Sequence, residues 1–144
     1  MRLTIALALC ILAVRVGTAQ QANGGGKADS TRSTRSGVYS AGQAAQGGEL
    51  YALICLSCHN AAFHTAPAFV AKWDGRPLAA LYEFIRAEMP KNDPGGLTRK
   101  EYLLVTAYLL KLNGMPAGPA ELPADSLALA KIRLDLKPKA DPAP

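Results

Sequence analysis

The sequence predicts an all-α fold, and three features of it carry that prediction. Leu78, Leu81, Tyr82 and Ile85 recur at i, i+3, i+4 and i+7, the spacing that gathers apolar side chains on one face of a helix. Between Thr98 and Asn113, residues Leu103, Leu104, Ala107, Tyr108, Leu110 and Leu112 make a wide apolar face. Thr98 followed three residues later by Glu101 is the pattern of a capping box at its start. Nowhere does the chain show the apolar–polar alternation of a convincing β-strand, and no internal repeat is present.

Taken in order, the 144-residue chain opens with Met1-Arg2, an unbroken apolar run from Leu3 to Val14, and Gly17-Thr18-Ala19. A basic start, an apolar core and small residues at the cleavage point are the marks of a secretory signal. Residues 1–19 are therefore expected to be a signal peptide cut after Ala19. The run is shorter than the about 20 apolar residues a spanning helix needs, and Arg15 interrupts it. No membrane span is expected in the mature protein. Cys10 leaves with the signal, so Cys55 and Cys58 are the cysteines that remain. Residues 20–38 are expected to be a disordered linker, because Gln20 to Ser36 is rich in Gly, Ser, Thr, Asn and Gln and has too little apolar surface to bury.

A domain over 39–118 follows. Ser40 to Ile54 reads as a helix with Leu50, Leu53 and Ile54 on one face and Tyr51 beside it. Gly47-Gly48 inside it costs about 1 kcal/mol each against alanine. Either another backbone crosses closely there, or the helix begins only after Gly48. Asn60 to Gly75 reads as irregular loop, with Pro67 and a turn at Asp74-Gly75. Pro77 to Glu88 is the second helix, Pro77 suiting its first turn and Pro90 ending it. Pro94-Gly95-Gly96 is a turn. Gly114 stands where a C-terminal cap of the third helix belongs. Residues 119–144 form a C-terminal extension in which Ser126 to Leu134 is amphipathic, either packing back on the body or staying loose.

The formal net charge of +5 falls to +3 without Arg2 and Arg15. Positive charge this mild and this scattered does not argue for nucleic-acid binding.

The chemistry lies in Cys55-Leu56-Ser57-Cys58-His59. Cys-x-x-Cys-His is the signature of c-type haem attachment. Two thiols three residues apart at a helix end face the same side and reach the two vinyl groups of one haem edge. The adjoining histidine is then held beneath the iron as an axial ligand. Three rival readings fit less well. A thioredoxin-like pair opens a helix after a strand, whereas this one closes a helix. A zinc site from Cys55, Cys58, His59 and His64 lacks the dozen or so residues usual between the cysteine pair and the first histidine. A plain disulfide leaves His59 unused. Export also suits haem c, whose thioethers are made outside the cytoplasm.

The sixth iron ligand is expected from Met89, since a Met/His pair raises the potential and suits electron transfer. Met89 ends a helix before a proline and a turn, where its thioether is free to reach inward. Met115 is expected to be a packing residue. His64, five residues from His59, is expected to be an exposed loop histidine.

These residues resemble the class I monohaem c-type cytochrome family over roughly Ser40 to Gly118. The resemblance runs through Gly47, Leu50-Tyr51, the Cys55-to-His59 motif, Pro67, Phe69, Trp73, Gly75-Arg76, Met89-Pro90, Pro94-Gly95-Gly96-Leu97 and Ala107-Tyr108-Leu109-Leu110. It is similar to small bacterial cytochromes and to the cytochrome domains of quinoprotein alcohol dehydrogenases. The resemblance implies a cytochrome c fold, with three main helices around one covalent haem c. It implies that Gly47 lets the first helix cross the last with Tyr51 near Tyr108, and that Pro67 offers its carbonyl to the far nitrogen of His59. It places Trp73 and Arg76 near a haem propionate. Asn60 departs from the family, where glycine is common, and the loop to Pro67 is short. The function implied is periplasmic one-electron transfer without substrate chemistry, between redox proteins such as a quinoprotein dehydrogenase and a terminal oxidase. The alternatives are a haem-c subunit or gas-binding sensor with a labile sixth ligand, and an exported thiol oxidoreductase using Cys55 and Cys58.

Overall fold

The computed structural model describes residues 32–137. The expected signal peptide, the linker as far as residue 31, and residues 138–144 lie outside the described residues. Five α-helices dominate: α1 (Ala41–Ile54), α2 (Pro67–Trp73), α3 (Leu78–Glu88), α4 (Arg99–Leu112) and α5 (Ser126–Ala130). Two short strands, β1 (Arg32–Ser33) and β2 (Ile132–Arg133), pair in parallel and join the two ends of the described chain. The all-α expectation holds, with this one small ladder as the addition.

Helix α1 starts at Ser40, whose hydroxyl accepts from the Gln43 N–H at 3.0 Å. It runs through both glycines, and the reason lies in α4. Gly47 faces the Leu104 carbonyl so closely that a Cβ would overlap it, and Gly48 lies under the Tyr108 ring. The face α1 buries is therefore Ala44, Gly47 and Tyr51, the small residues letting two backbones meet. The expected stripe is not the buried one: Leu50 and Ile54 are half-buried and Leu53 is 82% exposed. Helix α4 has its capping box, with Thr98 accepting from the Glu101 N–H and Glu101 accepting from the Thr98 N–H at 2.7 Å. Gly114 follows it with φ of +71°, as a left-handed C-terminal residue should.

The stretch 60–75 is not the irregular loop expected. Asn60 caps a short 3-10 turn over Ala61–His64, its side-chain oxygen accepting from the Phe63 N–H at 3.0 Å. Helix α2 then begins with Pro67 as a first-turn residue and buries Phe69 and Trp73, an i, i+4 pair. One buried pair in seven residues is too short a period to stand out in the sequence, and proline there reads equally well as a loop signal.

The N-terminal end departs from expectation most. Residues 32–38, assigned to a disordered linker, form β1 and a 3-10 turn, with Thr34, Gly37 and Val38 buried. Thr34 accepts from the Asp135 N–H at 3.0 Å and donates to the Met115 sulfur at 3.2 Å. The tail packs back rather than staying loose. Leu122, Leu129, Ile132, Leu134 and Leu136 are all buried and belong to the same core as α1, α3 and α4. Leu134 bonds the α2–α3 turn through both backbone groups, its carbonyl accepting from the Gly75 N–H and its N–H donating to Arg76 O, each 2.8 Å. The body thus extends over 32–137 rather than 39–118. Among the described residues no helix is long and apolar enough to cross a membrane.

Candidate functional site

The end of α1, the 3-10 turn, α2, α3, the 89–97 segment and α4 together enclose a cavity of about 1050 Å³. Its walls are mostly apolar, with Leu81, Phe84, Ile85, Leu97, Val105 and Leu109 prominent.

Cys55, Cys58 and His59 reach it from one tight turn. Cys55 caps the C-terminus of α1, its N–H bonded to the Tyr51 carbonyl at 2.8 Å. The Cys55 carbonyl in turn accepts from the Cys58 and His59 N–H groups at 3.1 and 2.9 Å. The Tyr51 hydroxyl donates to the His59 carbonyl at 2.7 Å, tying the turn back to the buried side of α1. Both cysteines are free, Cys55 half-buried and Cys58 exposed. Burial, and then the neighbouring Cys58, push the Cys55 thiol pKa up, which keeps its proton in place.

Met89 enters the same cavity from the end of α3. Its N–H is bonded to the Ile85 carbonyl at 2.9 Å and its own carbonyl accepts from the Tyr102 hydroxyl at 2.8 Å. The backbone is held at both groups, so the thioether has a fixed origin. Met115 is elsewhere, 4% exposed and bonded to Thr34. It is the packing residue the sequence predicts.

Trp73 is buried in the cavity wall, 5.2 Å from Phe84 between ring centroids. Arg76 lies over the Trp73 ring at 5.2 Å and is not part of the lining. Lys72 is, with its ammonium 3.9 Å from the Phe84 centroid and 4.8 Å from Trp73.

Pro67 stands apart from the cavity, and one expectation, that for His64, is corrected. Pro67 is exposed and is not brought into the cavity, although its neighbours Ala66 and Ala68 line it. His64 is not an exposed loop histidine. Its ring nitrogens are buried, it lines the cavity, and its ring lies 5.6 Å from that of His59. Burial, and then the neighbouring His59, lower its pKa to about 4. Only the Asn60 cap, three residues before Phe63, hinted that this loop was built to carry a side chain inward.

The donor set fits a haem. Two thiols, an imidazole and a thioether share one apolar cavity, at the upper end of the usual range for cofactor pockets of about 300–1,000 Å³. Cys55 and Cys58 would hold the haem edge, His59 and Met89 the iron. The family model described as cytochrome c oxidase, cbb3-type, subunit III matches residues 42–109. That stretch runs from the start of α1 nearly to the end of α4 and takes in all the cavity-lining donors. No curated protein and no solved structure matches the chain. The match supports a class I monohaem c-type cytochrome domain over these residues, a kind of domain that suggests electron transfer with haem c.

Proposed function

We propose that the protein is an exported, periplasmic one-electron carrier. It holds one haem c, linked by thioethers to Cys55 and Cys58 and bound at iron by His59 and Met89. The observation that carries this reading is the convergence of those four side chains on one cavity. Thioether formation adds each S–H across a vinyl double bond, so both thiols must be present in reduced form. A Met/His pair fills both axial positions, leaves no open site for substrate and favours electron transfer. The partners we propose are a dehydrogenase, such as a quinoprotein enzyme, as donor and a respiratory-chain component, such as a terminal oxidase, as acceptor.

The test uses protein matured with a haem c assembly system. Haem that stays with the chain on denaturation, and a pyridine haemochrome typical of two thioethers, are expected. The oxidised protein is expected to show a Met-to-iron charge-transfer band that Met89→Ala abolishes. A band that survives Met89→Ala overturns the ligand assignment. Tight carbon monoxide binding by the reduced wild type would favour the sensor over the carrier.

A further inference from the structure

His64 is a half-buried residue with both ring nitrogens shielded, and the haem ligand set provides no task for it. Both of its ring nitrogens are shielded and have no hydrogen-bond partner among the described residues. Each unsatisfied group of that kind costs about 1–3 kcal/mol, and a neutral imidazole carries one donor and one acceptor. The ring is nevertheless firmly placed. It stands edge-to-face with Tyr51, Phe63 and Phe69, at centroid distances of 5.5, 5.2 and 5.4 Å. Its backbone carbonyl accepts from the Asn113 side-chain amide at 3.0 Å, and the same amide nitrogen is bonded to Leu109 O at 2.8 Å. The end of α4 thus anchors the turn that carries it.

The remaining ring neighbour is His59, with centroids 5.6 Å apart and planes at 58°. Two imidazoles joined by an N–H···N bond of about 3 Å have centroids roughly 5.4 Å apart. The observed separation is close to that of a bonded pair; the bond is not made in this arrangement, and making it requires the His59 ring to turn toward the His64 ring. A metal-ligating histidine nearly always donates its second N–H to a fixed acceptor, which sets its orientation and basicity. Pro67 is exposed and does not line the cavity. The 3-10 turn capped by Asn60, by contrast, brings the His64 ring beside that of His59 within five residues.

We propose that His64 is the positioning residue of the haem ligand, its ring nitrogen accepting the N–H of the His59 nitrogen not engaged by iron. The inference rests on His59 being the ligand. The bond fixes the His59 ring and makes it a stronger donor to iron, which favours the oxidised state and lowers the reduction potential.

Reduced wild-type holoprotein labelled with 15N-histidine tests both the contact and its premise. A 15N–15N coupling across the hydrogen bond, linking the His59 N–H to a His64 ring nitrogen, is expected. The same spectra carry the ring-current-shifted signals of haem-bound His59 and Met89. If those signals are missing, the ligand reading fails. If they are present and the His59 N–H shows no coupling to His64, this inference alone is overturned. The reduction potential supplies a second readout. His64→Phe, similar in bulk but without an acceptor, is expected to raise it, and His64→Gln, which restores an acceptor oxygen, to bring it back toward wild type. Equal shifts in the two variants, or none in either, also overturn the proposal.

Discussion

The Leu104 carbonyl oxygen occupies the space that a Cβ on Gly47 would need. That contact sets the distance between α1 and α4, and hence the position of the turn that carries Cys55, Cys58 and His59. The obstacle is backbone, so a rotamer change elsewhere does not relieve it. Gly47→Ala is expected to destabilise the holoprotein by about 1–3 kcal/mol or more, as overpacking does, against the gain of up to about 1 kcal/mol that alanine normally brings to a helix. Gly42 lies in the same helix with nothing within 4 Å of its would-be Cβ, and Gly42→Ala is expected to be neutral or stabilising. Guanidinium unfolding followed by helical circular dichroism checks the pair. Equal midpoints would show that the crossing does not depend on the close approach.

This crossing was legible in the sequence because a costly residue pair in mid-helix calls for a cause. The capping box of α4 and the periodic face of α3 were legible for similar reasons, each being local and strongly patterned. His64 was not, since sequence distance from His59 suggested only that it was too near to ligate the far haem face. Its burial depends on Tyr51 and Phe69, which come from two other elements. The pairing of β1 with β2 was equally hidden. Two residues from a Ser- and Thr-rich segment meet two from the tail, and Thr34 is buried only because Asp135 and Met115 bond it. Composition describes what a segment does alone, and this one acquires its structure from residues about a hundred positions away.

Two methionines remain in the described chain as rivals for iron, and their surroundings separate them. Met115 is held by the Thr34 hydroxyl in the packed core, outside the cavity that Met89 lines. Met115→Leu conserves volume and is expected to cost less than about 1.5 kcal/mol, leaving the Met-to-iron band unchanged. Met89→Leu conserves volume equally well and is expected to lose the band. A band that follows Met115 instead would reverse the assignment.

The tail is part of the body. Leu134 has no exposed surface, and its backbone bonds clasp the turn between α2 and α3. Leu134→Ala is expected to cost about 2–5 kcal/mol, the range for leucine removed from a packed core. Leu127, two residues from the buried Leu129 yet 74% exposed, is the control, and Leu127→Ala is expected to stay within about 0.5 kcal/mol. Denaturant midpoints at constant slope check both. A tail that merely rested on the surface would make the two variants alike.

Asp74 is the latch for that tail and gives it a pH dependence. Its Oδ1 accepts from the Leu136 and Lys137 N–H groups at 2.8 and 3.2 Å, and the Lys137 ammonium lies 3.4 Å from its other oxygen. Desolvation works to raise its pKa, but the two backbone bonds and Lys137 together outweigh it and hold the carboxyl below its ordinary value. A carboxyl depressed in the folded state binds fewer protons there than in the unfolded state. Its stabilisation is therefore complete above the unfolded pKa, near 4, and is lost as pH falls through the lower, folded value. Amide hydrogen exchange at Leu136 and Lys137 is expected to show the latch intact at neutral pH and opening only as pH falls below the ordinary carboxyl range. Asp74→Ala removes the acceptor and is expected to expose both amides at every pH, while Asp74→Asn keeps an acceptor oxygen and loses the acid transition. Protection in the wild type that is indifferent to acid, or an acid transition that persists in Asp74→Asn, would place the latch on another group.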